Sequence, residues 1–361
     1  MLDAIKEHAH KAQLSGEANN LRELYQITKQ LAGKPNTSQQ AGVTDPAGRM
    51  LITPQNQLIR RQEHFKENFA APPQQISMNA IQMTPEITKI PTVAPTKKEI
   101  KTAIKHLKPN KASGPDNLPA EFFGTYPNAI ADILELLLKK VWESGRIPND
   151  WKHSLIKLPK KGDLTECSNW RGITVLNMIG KILATIIYSR LKEELEPKMR
   201  PEQASFRSNR ACVDHINTPR IIVEQSVEFC SPLQLVFIDF KRAFDTLARD
   251  AIWQALKEKG VLPKIISIIK AIYEQSTCNV VHKNLKSELI LVLNGVKQGC
   301  TLSPPLFNVT LDYVISKVSK ESEGIRWGIC DKLTDLDYAD DICLLTHSTR
   351  TMQKMLERLG K

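Results

Sequence analysis

The chain has 361 residues and is 41% hydrophobic, enough for one large domain or two ordinary ones with a sizeable core. Lys and Arg number 50 against 39 Asp and Glu, a formal charge of +11, which suits a polyanionic partner such as nucleic acid or simply a solvated basic surface. Seven cysteines without a Cys-x-x-Cys pair argue against a disulfide framework or zinc site. The first residues lack the apolar core of a signal peptide, and the most apolar run, Ile173 to Tyr188, is broken by Asn177 and Lys181; a soluble, intracellular protein is expected.

In chain order, residues 1–33 read as a helix with Leu21, Leu24, Tyr25, Thr28 and Leu31 on one face and Gly33 as its stop. Residues 34–48 are polar and contain Gly and Pro, so a loop is expected. Thr53-Pro54 reads as N-cap and first position of a second helix, with Leu58, Phe65 and Phe69 on one side. Pro72, Pro73, Pro85, Pro91 and Pro95 predict a linker with little regular structure. Thr96-Lys-Lys-Glu99 is a capping box, opening a helix striped by Ile100, Ile104 and Leu107. After a turn at Lys111–Asp116, Ile130, Ile133, Leu134, Leu137, Val141 and Trp142 mark an amphipathic helix closed by Gly145 and Pro148.

Residues 154–158 predict a strand, followed by a basic turn at 159–162 and a long helix over about 177–195. Residues 234–239 predict an apolar strand, and Leu235 to Ile238 is a run expected to be buried. Residues 250–275 read as helical and 278–296 as a hairpin region. Helix resumes after Ser303-Pro304-Pro305, with Phe307, Leu311, Val314, Ile315 and Val318 facing inward. Residues 333–346 read as a hairpin with Ala339-Asp340-Asp341 at its tip, and 349–360 as a last helix. Interleaved helices and short strands without repeats mean an α+β fold.

Three carboxylates stand out. Asp239 ends its apolar strand and, alone, reads more simply as a cap for the next helix. Asp340-Asp341, alone, reads as turn chemistry. Yet adjacent carboxylates repel, a turn gains nothing from the second, and a divalent cation would remove the repulsion. Three such acids on neighbouring strand ends could hold two Mg²⁺ ions for phosphoryl transfer. Between them, the glycines of residues 295–308 let backbone approach a ligand closely, although an ordinary strand–loop–helix connection accounts for them equally well.

Together these segments resemble the reverse transcriptases of non-LTR (LINE-type) retrotransposons. Residues 237–245 are similar to the family's motif A, 295–308 to motif B and 338–341 to motif C. Residues 111–116, 158–163, 169–174 and 203–207 resemble the preceding motifs zero, 1, 2 and 2a, in the family's order. The resemblance implies a right-hand polymerase with fingers and palm over residues 96–361. Residues 1–95 would be a mainly helical extension and Pro-rich linker following an endonuclease domain. It implies Asp239, Asp340 and Asp341 as catalytic metal ligands, aided by the backbone carbonyl of Phe240, with Mg²⁺ as cofactor and Mn²⁺ as a substitute. Lys160 and Arg171 would meet the incoming triphosphate, as a point charge and a fork. For the neighbouring Lys161 a solvated loop charge is the favoured reading. Phe244 would exclude a ribose 2′-hydroxyl, although a plain core aromatic is also consistent. Gln298 and Gly299 would line the nucleotide pocket. RNA template, DNA primer and deoxynucleoside triphosphate are the implied partners, and the nucleus the implied compartment.

Gly172, Ser205 and Pro305 depart from the family's usual Pro, Gly and Leu, but none is a metal ligand. The chain ends about 20 residues after Asp341, inside a predicted helix, so truncation before the thumb and weak or absent activity are expected. A decayed or domesticated fragment that only binds nucleic acid is the alternative, against which the three intact acids weigh. An RNA polymerase would share the palm, but Phe244 and Tyr338-Ala-Asp-Asp341 weigh against it.

Overall fold

In the computed structural model, residues 9–13, 42–69, 87–158, 163, 165–319, 323–327 and 331–360 are described. Strand β1 (Val43–Thr44), inside the stretch 34–48 expected to be a loop, pairs with β2 (Met50–Leu51) as a small hairpin. Helix α1 (Pro54–Phe69) starts as predicted, with the Thr53 hydroxyl accepting from Asn56 N–H at 3.4 Å. Helix α2 (Lys97–Lys105) carries the complete capping box, Thr96 and Glu99 each accepting the other's backbone N–H. Then come α3 (Pro127–Ser144), β3 (His153–Lys157), β4 (Ile173–Leu176) and α4 (Met178–Leu195). Helix α5 (Cys212–Glu228) occupies a stretch for which the sequence pattern set no expectation. Next are β5 (Gln234–Asp239), α6 (Arg249–Glu258), α7 (Pro263–Tyr273), β6 (Thr277–His282), β7 (Leu285–Lys286) and β8 (Ile290–Leu291). The chain continues with α8 (Ser303–Val318), β9 (Ile325–Trp327), β10 (Asp331–Leu333), β11 (Asp335–Tyr338), β12 (Asp341–Thr346) and α9 (Thr349–Leu359).

Two sheets organise these elements. One has the order β4-β3-β6-β7, with β8 also pairing β6; β3 and β6 run parallel and the other pairs antiparallel. The other has the order β11-β12-β5, antiparallel throughout. The largest core lies among the helices, with Leu138, Ile186, Leu191, Leu256, Ile269 and Leu306 fully buried. A second core joins the faces of β5 and β12 to α8 and α9 through Ile342, Leu344, Phe307 and Met355.

Two expected burial patterns are corrected. In α3, Ile133 is 67% exposed, because the buried stripe runs through Ala131, Leu134, Leu138, Val141 and Trp142 on the opposite side. In β5, the run Leu235–Ile238 is only half-buried and Phe237 is 72% exposed. The reason is position: β5 is an edge strand, so its apolar run is not enclosed as a central parallel strand would be.

Helix α1 packs on the larger sheet. Leu58, Phe65 and Phe69 of α1 share a core with Ile156, Val280 and Ile290 of the larger sheet. Residues 87–95 have no helix or strand, as expected, yet Ile90 is buried in the main core. Arg190 of α4 secures this irregular segment. Its guanidinium donates to the carbonyls of Pro91 at 2.9 Å and Val93 at 2.8 Å and pairs with Glu99 at 2.6 Å, and Trp142 Nε1 donates to Thr92 O at 2.8 Å. The predicted helical face at Leu21–Leu31, and Pro72, Pro73 and Pro85, lie outside the described residues. No helix among the described residues is long and apolar enough to cross a membrane.

Arg190→Met should strand several buried carbonyls and the Glu99 carboxylate. We predict a loss of about 3 kcal/mol in urea unfolding, with faster proteolysis at residues 87–95; an unchanged midpoint would show that apolar packing alone holds the segment.

Candidate active site

The acids are brought together by strand register. In the antiparallel pair β12–β5, Asp341 stands directly opposite Asp239. Directly opposed residues share a face, with Cβ atoms about 5 Å apart. The hairpin β11–β12 pairs Tyr338 with Asp341, leaving Ala339 and Asp340 as a two-residue loop. Ala339 has φ +57°, a left-handed conformation that a two-residue hairpin needs and that alanine adopts at a steric cost. Partial desolvation, and then the charges of Asp340 and Asp239, raise the Asp341 carboxyl above its ordinary value. Among the described residues, no three His, Cys, Asp or Glu side chains close around a single point. The acids thus form an open, mutually repelling set of hard oxygen donors. Such a set fits a divalent cation that completes its shell with water or substrate oxygens.

Asp239 and Asp340 line a cleft of about 600 Å³, together with Arg171, Phe240, Phe244, Gln298 and Gly299. Arg171, Phe244, Gln298 and Gly299, all expected at the nucleotide, therefore share one cleft with two of the acids. Asp341 opens instead, with Asp239, onto an adjoining groove that Phe237 and Tyr338 also line. Lys160, with Lys161 and the basic turn at 159–162, lies outside the described residues. Arg171 is exposed in the cleft wall. Phe244 stacks on Phe307 with centroids 4.5 Å apart and meets Phe206 edge-on at 6.2 Å, so its ring is held from both sides.

The loop before α8 is shaped by two glycines. Gly295 has φ +74°, and a Cβ there would lie 2.3 Å from Asp245 O. Gly299 has φ +108°, while Thr174 N–H donates to Gln298 O at 2.7 Å, tying the loop to β4. Arg249 fastens the other side, donating to Tyr273 O at 2.7 Å and Gly295 O at 3.2 Å.

Several cleft residues were not singled out from sequence. His64, Phe65 and Asn68 of α1 form part of the wall, and Arg242, in the left-handed region, donates to Asn68 Oδ1. Asp245 accepts from Gln298 Nε2 at 3.1 Å. Asp245 lies within the run 237–245, so a pairing partner could have been sought; nothing in the sequence couples α1 to this place.

Residues 158–361 match the family described as reverse transcriptase (RNA-dependent DNA polymerase). The chain belongs to the reverse transcriptase family. It is similar to the Pol polyprotein of the type-1 retrotransposable element R2 of Popillia japonica, 31% identical over 69% of this chain and 34% of that protein. It is also similar to the RNA-directed DNA polymerase from mobile element jockey of Drosophila funebris, 25% identical over 90% and 36%. The transposon TX1 149 kDa protein of Xenopus laevis is 26% identical over 72% and 20%. The chain thus spans between 20% and 36% of the length of these relatives. The apo telomerase of Candida tropicalis, truncated from its C-terminal domain, superposes with a TM-score of 0.43 at 17% identity, over 65% of this chain and 52% of that one. The expected α+β reverse transcriptase fold is observed, with Asp239 and Asp341 on the sheet β11-β12-β5.

In this reverse transcriptase domain, burial pushes the Asp245 carboxyl up to about 6, against the lowering pull of Arg242 and Gln298. That value lies above the unfolded one of about 3.9, so folding disfavours the ionised form. The associated stability is complete at low pH and is lost as pH rises through about 6. Asp245→Asn keeps an acceptor for Gln298. It should gain on the order of 1–2 kcal/mol over the parent at pH about 8 and nothing at pH about 4, measured by urea unfolding at both.

Proposed function

We propose that this chain catalyses RNA-directed DNA synthesis for a non-LTR retrotransposon. The observation that carries the reading is the register that sets Asp341 opposite Asp239, with Asp340 beside them at the rim of a cleft built from the segments similar to motifs 2, A and B. The primer 3′-hydroxyl attacks the α-phosphate of a deoxynucleoside triphosphate, and pyrophosphate leaves.

Asp239, Asp340 and Asp341, with the Phe240 carbonyl, would hold divalent ions. Two Mg²⁺, or Mn²⁺ in their place, would supply Lewis-acid activation of the hydroxyl and neutralise charge on the leaving group. Arg171 meets the triphosphate with a bidentate fork, and Lys160 adds a point charge. The Phe244 ring, braced by Phe307 and Phe206, blocks the space of a ribose 2′-hydroxyl. Gln298 and Gly299 line the same cleft, and the positive φ of Gly299 lets backbone come close to the nucleotide. The formal charge of +11 supports binding of template and primer through their phosphates, and a nuclear location fits such a substrate.

In primer extension on poly(rA)/oligo(dT) with Mg²⁺, Asp340→Asn should lower the rate by about 10³-fold; undiminished synthesis would remove the acids from catalysis. Phe244→Val should admit ribonucleotides, read as a fall of about tenfold or more in the deoxy-to-ribo ratio of kcat/KM; an unchanged ratio would reject the ring as the sugar filter.

A further inference from the structure

The turn that carries Asp340 and Asp341 does not stand by itself. The segment 202–204 runs along β11 as an irregular extra strand. Asp337 N–H donates to Glu202 O at 3.1 Å, Ala204 N–H donates to Asp337 O at 3.0 Å, and Gln203 faces Asp337 in a parallel bridge. Arg200 locks the start of this segment. Its guanidinium reaches Asp335 and Asp337 of β11 at 2.6 Å each and Asp312 of α8 at 3.1 Å, all three carboxylates being fully buried. Asn308 Nδ2 holds the far end, donating to Ser205 O at 2.6 Å.

At the centre sits Gln203, 0% exposed. Its Oε1 accepts from Ser205 N–H at 3.0 Å and from Ala339 N–H at 3.4 Å. Ala339 is the buried residue at φ +57° that turns the chain into Asp340. An alanine leaves the left-handed region readily, because its Cβ clashes there by roughly 1–2 kcal/mol. A conformation of this kind persists only where its surroundings over-determine it. The only side-chain group that reaches the Ala339 amide among the described hydrogen bonds is Gln203 Oε1. Moving Ala339 to the ordinary region would swing the next two residues, both of them acids.

We propose that Gln203 is a positioning residue for the carboxylate turn: by accepting the Ala339 N–H it holds the left-handed backbone that sets where Asp340 and Asp341 point. The proposal rests on reading those acids as metal ligands. Gln203 touches neither substrate nor metal and acts through Ala339. The surrounding cradle, anchored by Arg200, limits its freedom to follow the turn, so the hydrogen bond fixes position as well as existence.

The test compares Gln203→Leu, which keeps bulk without an acceptor, with Asp340→Asn in the full chain. Mn²⁺ binding to the protein alone is followed by electron paramagnetic resonance, and amide exchange at Ala339 by mass spectrometry or NMR. Gln203→Leu should weaken Mn²⁺ binding about tenfold, the equivalent of about 1.4 kcal/mol, and speed exchange at Ala339. Adding Ala339→Gly should recover part of the Mn²⁺ affinity, since glycine occupies the left-handed region freely. A purely structural role would lower the melting temperature without moving Mn²⁺ affinity, and that result overturns the proposal. If Asp340→Asn weakens Mn²⁺ binding while Gln203→Leu does not, the metal reading stands and the role of Gln203 falls. If Asp340→Asn changes nothing, both fall. Should Gln203→Leu not fold, Gln203→Asn, one methylene too short to reach Ala339, is expected to give the same loss, and unchanged Mn²⁺ affinity in that variant is equally decisive.

Discussion

The antiparallel register of β5 and β12 is the constraint on which the site depends. It pairs six residues of each strand, from Thr346 opposite Gln234 to Asp341 opposite Asp239. A slip of one residue would turn every side chain of β12 to the other face, lifting Ile342 and Leu344 out of the core beneath α8 and α9. The apolar face therefore enforces the register, and the register in turn opposes two like charges, an arrangement that by itself destabilises the sheet. Burial of Ile342 and Leu344 thus offsets the repulsion at the strand ends.

Around this sheet, arginines hold the irregular parts of the chain. Arg190 binds the carbonyls of Pro91, Val93 and Ala94, Arg249 those of Tyr273 and Gly295, and Arg200 three buried carboxylates. Each presents a planar fork of donors to groups that have no ladder partner, which suits arginine better than lysine. Burial and Asp335 both raise the Asp337 carboxyl, while Arg200 pulls it down. The cluster is thus a set of opposing charges whose value lies in geometry: it ties β11 to α8 and to the segment beginning at Arg200.

Much of the architecture was legible in one dimension. Helices with a 3.6-residue apolar stripe and clear caps, such as α2 with Thr96 and Glu99, follow from local rules, because every interaction that defines them lies within four residues. The hairpin at Ala339-Asp340 follows for the same reason. Less legible were α5, where Ile222 is the only buried residue and Pro219 lies inside the helix, and the exposure of Phe237. A period-based reading needs a buried stripe, and α5 has almost none; an apolar run does not say whether its strand is central or at an edge.

By itself, the sequence determined the ordered run of segments that resemble reverse transcriptase motifs, the three acids, and the residue types of the cleft. These are properties of composition and spacing. Only the tertiary structure decided that Asp341 faces Asp239, that Asp245 accepts from Gln298, that α1 forms part of the cleft wall, and that Gln203 reaches Ala339. The physical reason is separation along the chain: Gln203 and Ala339 lie 136 residues apart, and Asp245 and Gln298 lie 53 apart. Hydrogen bonds over such distances leave no periodic trace. They exist only once packing has fixed both backbones.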